Sequence, residues 1–386
     1  MLDYMETIYM QLLGLLIVNK KEKKMKNIIK TINETNRNFV FSPIAIYYAL
    51  MLLAQTTAGE TKQEILKAIN VKEEELVEKS KELFKKLNIN SEDGRLMLNS
   101  SLWFNNEFDF NQEYADKLAK DNNSTVRSGK MGTSEFDNQI HRWININTHN
   151  LLADKVQNIK TNTSEILELI TTMYIKGSWV ESFNRFETKF KKFNISKNEI
   201  VKCEFMSQYL RDNLYIGERF KALAMYLDGV GKMMFILPYD GFIPDDIKND
   251  NDLVKLLNGR TDHLSKEYYL INFSVPKFDI SADGDILEQL RKLGISKVMD
   301  MKQADFSPIS TEQELYLSDA RQASRLKINE DGVEAAAYVE MCVFVGCAPD
   351  FEQPKEIDFI LDRPFMFSII KDRTPMFVGT IVDPTK

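Results

Sequence analysis

The sequence has too little cysteine to be held together covalently. Cys203, Cys342 and Cys347 cannot build a disulfide framework, and no CxxC pair is present to hold zinc. Glycine (16) and proline (10) are sparse across 386 residues, which excludes collagen-like and low-complexity chains. No apolar run reaches spanning length, so a polytopic membrane protein is excluded. Positive charge is in deficit. A net charge of -7 argues against a general nucleic-acid binder, whose affinity rests on basic surface. Histidine is scarcer still, with His141 and His149 on one helix candidate and His263 elsewhere. Neither HExxH nor GxSxG surrounds them, and no catalytic residue, metal site or cofactor is expected.

What is present is 44% hydrophobic and 28% charged, enough for a large core. Tyr9 to Val18 has the length of a signal-peptide core. Its flanks reverse the usual order, with Asp3 and Glu6 before it and Lys20, Lys21, Lys23 and Lys24 after. Residues 1–24 therefore read as an N-terminal extension or an atypical signal-like segment, and 25–386 as one domain. Asn-x-Ser/Thr sequences at Asn33, Asn99, Asn122, Asn123, Asn162, Asn194 and Asn272 would be glycan acceptors in a secreted chain. The expectation leans to an extracellular protein, with the cytoplasm as the alternative.

Helical signals dominate the first 160 residues. Ser42-Pro43 opens a run with Ile44, Tyr47, Tyr48, Met51 and Leu52 on one face. Thr61 to Glu64 has a capping-box pattern. Glu73 to Leu87 forms an amphipathic helix, and Ile140, Trp143, Ile144 and His149 mark another. Strand signals then take over at Glu168–Lys176, Lys232–Leu237, Tyr268–Pro276, Phe365–Ile370 and Met376–Val382, the last after a turn at Arg373-Thr374-Pro375. Asp285 to Leu293 adds a helix. With no internal repeat and no linker, one interleaved α+β body is expected. Gly229-Val-Gly231-Lys232 lacks phosphate-loop spacing and reads as a hairpin turn. Lys79, Lys81, Lys85 and Lys86 could meet a sulfated polysaccharide, although a solvated helix face is the default.

The segment from Ile328 to Lys355 stands apart, because loops this long are usually functional. Val333, Ala335, Ala337, Val339, Met341 and Val343 alternate with Glu334, Tyr338, Glu340 and Cys342. That is a strand with one small, apolar face, stored in a loop.

Eight short pieces in register then carry a resemblance over nearly the whole chain. They are NFVFSPIAI (Asn38 to Ile46), YIKGSW (Tyr174 to Trp179), FILP (Phe235 to Pro238), VPKF (Val275 to Phe278), LGISKV (Leu293 to Val298), NEDGVEAAA (Asn329 to Ala337), RPF (Arg363 to Phe365) and FVGTIVDPT (Phe377 to Thr385). Together they resemble the serpins. The resemblance implies an α+β fold of three sheets and about nine helices, with an exposed reactive loop at about 330–358. It implies a monomer, no cofactor, and a serine protease as covalent partner. In the family the protease attacks the loop and forms an acyl-enzyme. The cut loop then enters the central sheet as a strand and distorts the protease.

By this resemblance the hinge comprises Glu330, Gly332, Val333, Glu334, Ala335, Ala336 and Ala337, with no bulky, charged or proline residue at the inward positions Val333, Ala335 and Ala337. Beneath the sheet opening the family joins a Ser, an Asn and a His. Here Ser42 is kept, while Ala45, Thr171 and Gln322 occupy the positions that would share that cluster, so it is expected to be rebuilt or weaker. Counting from Glu330 sets the scissile bond at Gly346-Cys347, suited to an elastase- or chymotrypsin-like protease. The alternative is Asp350-Phe351, for an Asp-specific protease. A disulfide between Cys342 and Cys347 would stiffen the bait; free thiols would let it extend. A non-inhibitory protein that docks onto a component of a host defence cascade such as complement is the other functional class.

Overall fold

The computed structural model describes residues 37–91, 94–248, 250–257, 259–311, 315–333 and 354–386. The expectations on residues 1–24, the acceptor Asn33, and Glu334 through Phe351 lie outside them. Nine α-helices are present among the described residues: α1 (Pro43–Thr56), α2 (Gly59–Ile69), α3 (Leu76–Lys86), α4 (Gln112–Asn122), α5 (Ser134–Asn147), α6 (Ala153–Val156), α7 (Pro244–Ile247), α8 (Asn251–Leu257) and α9 (Leu287–Lys292). Ser42 caps α1, its hydroxyl accepting from the Ala45 N–H, and Pro43 fills the first turn, where no N–H is needed. This helix is buried nearly all round, because it runs through the middle of the molecule.

The strands, in chain order, are β1 (Phe39–Phe41), β2 (Ile89–Asn90), β3 (Gly94–Asn105), β4 (Thr125–Gly129), β5 (Leu167–Ser178), β6 (Lys189–Ser196), β7 (Glu199–Ile216), β8 (Phe220–Leu227), β9 (Gly231–Pro238), β10 (Ser265–Pro276), β11 (Phe278–Asp285), β12 (Arg321–Asn329), β13 (Gly332–Val333), β14 (Glu356–Ile360), β15 (Phe365–Lys371) and β16 (Thr374–Ile381). One sheet runs β11-β12-β13-β5-β3-β2, with β4 alongside β3. The rest form β1-β16-β15-β9-β8 and β7-β10-β14 with β6. These two halves meet through Tyr215 and Ile216 of β7, paired with Ala222 and Lys221 of β8. The expected three sheets are therefore present, two of them continuous through that short pairing.

Three sequence expectations need correction. Thr61 is not a cap: α2 starts at Gly59 behind Ala58, and the Thr61 hydroxyl donates to the Gln303 carbonyl. Glu64 instead reaches across to accept from the backbone N–H groups of Ser296 and Lys297. His149 lies beyond the end of α5, with a positive φ of 49° and its ring 4.4 Å from that of Tyr174. The last turn falls on Asp372 and Arg373, both at positive φ, so Thr374 and Pro375 already belong to β16. The Gly229–Gly231 segment is a hairpin turn between β8 and β9, as its sequence indicated.

An aromatic chain ties the sheets together. Phe235 is fully buried, with ring centroids of Phe273 at 5.5 Å, Trp179 at 6.3 Å and Phe365 at 6.4 Å. It joins β9, β10, β15 and the residue following β5. Phe235→Ala should cost about 3–5 kcal/mol. Guanidinium unfolding should show an earlier midpoint with an unchanged slope.

Candidate functional site

The site is built where β12 turns back into β13. The Asn329 side-chain carbonyl accepts from the N–H groups of Asp331 (3.0 Å) and Gly332 (3.2 Å), folding the turn locally. Gly332 sits at φ 155°, and a Cβ there would come 2.1 Å from the Gly177 carbonyl oxygen. Only glycine fits. Val333 follows, fully buried between Ile328 of β12 and Gly177 of β5.

Charges and backbone bonds fix this corner. Glu330 is 6% exposed, accepts from the Thr188 hydroxyl at 2.7 Å and pairs with Lys277 at 3.4 Å. Lys277 also reaches Glu204 at 3.3 Å. Burial alone would raise the Glu330 carboxyl. The Thr188 bond, its own backbone N–H and the Lys277 ammonium overcome that and hold it below the usual range. Arg185 pairs with Asp331. The Trp179 and Phe183 N–H groups donate to the carbonyls of Asp331 and Glu330, and the Trp179 indole donates to Asn329.

Among the described residues, β12 and β5 have no hydrogen-bonded register with each other below this corner, and β13 alone pairs with both. Both pairings are antiparallel. Leu326 and Ile175 lie two residues, Ser324 and Met173 four residues, and Gln322 and Thr171 six residues before Ile328 and Gly177, the two partners of Val333. Leu326, Ile175 and Ser324 are buried on the core side. The other side is covered by α5, whose Phe136, Ile140 and Ile144 pack with Ile170 of β5 and Ala323 of β12.

Of the four residues expected to share a cluster beneath the opening, the structure joins two. The Gln322 side chain donates to the Ser42 carbonyl at 3.0 Å. Ala45 is buried in the first turn of α1 and offers no side-chain hydrogen bond. The Thr171 hydroxyl is buried without a hydrogen-bond partner. The chain on either side of 334–353 is anchored in strands. It is held up to Val333, and again from Lys355, whose carbonyl accepts from Leu270 before β14 runs parallel to β10.

Several other expectations meet a structural explanation. On α3, Lys79 pairs with Glu75 (2.8 Å), Lys81 with Asp121 (2.8 Å) and Lys86 with Asp372 (4.0 Å), as on a solvated helix face. His141 bonds the Ile159 carbonyl and His263 the Asp252 carbonyl. Asn122 is 1% exposed and bonded to Gln55 and the Leu118 carbonyl, so a glycan cannot be accommodated there in the folded chain. Asn99 lies within central strand β3, its amide nitrogen buried. Asn123 and Asn162 are in exposed turns. Burial, with Asp383 nearby, pushes the Cys203 thiol up to about 11, keeping it protonated and inert. Sequence reasoning missed Lys277, Thr188 and Arg185. Lys277 lies inside the VPKF piece, but nothing there signals that its partner is Glu330.

The result is a mixed α+β fold in which, among the described residues, β12 and β5 are bridged by the short strand β13. The family model for serpins (serine protease inhibitors) matches residues 23–384. An alpha-1-antitrypsin-like protein of Tamias sibiricus is 28% identical over 90% of this chain and 84% of its own length. Plasminogen activator inhibitor 1 of Sus scrofa is 26% identical, over 90% of this chain and 87% of its own. Among solved structures, human thyroxine-binding globulin superposes with a TM-score of 0.80 at 23% identity, covering 98% of this chain and 100% of that one. Tengpin, a thermophilic serpin in its native state, gives 0.81 at 21%, over 98% and 94%. The chain belongs to the serpin family.

Glu330→Gln removes the charge that Lys277 and Thr188 face and should cost roughly 1–3 kcal/mol. Because the folded carboxyl titrates below its unfolded value, this stability is complete above about pH 5 and is lost as pH falls through the folded value. Urea midpoints of wild type and Glu330→Gln should converge as pH drops from 6 towards 3.

Proposed function

We propose that the chain is a suicide-substrate inhibitor of serine endopeptidases, with an elastase- or chymotrypsin-like target favoured. The observation that carries this reading is the pairing of Gly332 and Val333 with two strands that do not pair with each other. The serine hydroxyl of the protease attacks the Gly346 carbonyl carbon, and its proton passes through the protease's base to the leaving nitrogen. The Gly346–Cys347 bond breaks, Cys347 leaves with a free amine, and an ester joins Gly346 to the enzyme. Release at that point frees the loop to lengthen β13.

Lengthening is favourable for ordinary reasons. Continued in the register of β13, seven further residues, 334 to 340, would gain partners on both β12 and β5, a span of about 23 Å at strand rise. Each ladder bond contributes on the order of 1 kcal/mol, and the small inward residues Ala335, Ala337 and Val339 add buried area. The Gln322–Ser42 bond ties β12 to the start of α1 and not to β5, so it does not hold the two flanking strands to each other. The protease, bound to the moving end, is carried with it and deformed before water can hydrolyse the ester.

Incubation with trypsin, chymotrypsin, elastase and granzyme B, followed by denaturing gels and intact mass, tests this. A denaturation-resistant complex with elastase or chymotrypsin and a released peptide beginning at Cys347 is expected. Ala335→Arg, which puts a charge between Leu326 and Ile175, should convert the inhibitor into a substrate and lower the complex-to-cleaved ratio at least 10-fold. A granzyme B complex with release at Phe351 would move the reactive bond to Asp350. Loop cleavage without complex or stabilisation would overturn the inhibitory reading and leave a serpin-shaped docking protein.

A further inference from the structure

We propose that Arg95, Lys176 and Lys327, a basic row across the solvent side of the central sheet, form the docking site for the carboxylate of Glu334 in the cleaved protein. The proposal rests on the inhibitory reading above and adds a register key to it. Arg95 of β3 is the in-register partner of Lys176 of β5. Lys176 and Lys327 each precede by one residue the partners of Val333, which are Gly177 and Ile328. The residue that follows Val333 therefore falls between the two lysines. Cross-strand neighbours project from the same face, with Cβ atoms about 4.5–5.5 Å apart.

The face is set by Val333 and Ile328, both buried towards the core, so the next residue on each strand points away from it. Lys327 is exposed, and Lys176 and Arg95 are half-buried. The complete row reads Asn90, Arg95, Lys176, position 334, Lys327 and Asp279 across β2, β3, β5, β12 and β11. Asp279 is the one carboxylate of the row among the described residues, and Arg325 holds it at 2.8 and 2.9 Å. Three cations at strand spacing are thus left facing the position where the chain itself brings a glutamate. The crowding is felt nearby: burial first, then Arg95 and Lys176, hold the His149 imidazole below its ordinary value.

Charge placed this way discriminates registers. A slip by one residue turns Glu334 towards Leu326 and Ile175 and buries it unpaired. A slip by two leaves Gly332 or Ala336 in the basic row. Only the register already started by β13 pairs the carboxylate.

The test uses full-length protein nicked once in the loop, with the cut located by intact mass, and melted in a fixed guanidinium concentration. Nicked wild type should melt well above intact wild type. Nicked Glu334→Lys should melt roughly 2–4 °C below nicked wild type, and adding Lys176→Glu and Lys327→Glu should restore most of the loss. Nicked Glu334→Gln, the milder change, should titrate His149 at lower pH than nicked wild type by NMR, because a neighbouring negative charge has gone. If nicked wild type gains nothing over intact protein, strand addition fails and the docking site with it. If wild type gains and Glu334→Lys gains as much, if the reversed lysines do not rescue, or if His149 is unmoved, the docking site alone is wrong.

Discussion

Two residues of β-structure, Gly332 and Val333, decide what the rest of this molecule can do. They bridge β12 and β5, strands that otherwise share no hydrogen bonds with each other. A sheet whose neighbours stand apart has unmet backbone pairing, and backbone pairing is local, directional and cumulative. The chain that leaves Val333 is the nearest source of the missing partners. In the proposed mechanism that chain extends the ladder begun by β13.

The surroundings keep that first rung in place. Glu330, Lys277 and Thr188 form a partly buried charged knot at one side of the turn, and Arg185 with Asp331 forms a second at its surface. Trp179 ties both to the aromatic chain through Phe235. These contacts involve residues before Gly332, so they can persist whether or not the strand beyond Val333 is added. Of the residues expected to cluster beneath the opening, Gln322 bonds the Ser42 carbonyl and Thr171 makes no hydrogen bond, while α5 packs on Ile170 of β5 and Ala323 of β12.

Much of this was legible in the sequence. The eight family pieces gave the order of elements around Val333. Ser42-Pro43 announced α1 because capping chemistry is local. The failures were non-local. Thr61 to Glu64 has the spacing of a capping box, yet Glu64 caps the Ser296–Lys297 turn, more than two hundred residues away in sequence. The Glu330–Lys277 pair is invisible to spacing for the same reason. Asn122 matched a glycan acceptor because three-residue patterns carry no information about burial. The scissile bond and the state of Cys342 and Cys347 belong to the part of the loop that neither local pattern nor anchoring strand defines.

The central claim is that the chain beyond Val333 becomes a strand between β5 and β12. Hydrogen–deuterium exchange of intact and loop-nicked protein measures this at the flanking strands themselves. Strand addition predicts that peptides covering Leu167–Ile175 and Gln322–Lys327 become strongly protected after the nick, with little change in β8, β9 and β15. Unchanged exchange in β5 and β12, despite a complete cut in the loop, would contradict it.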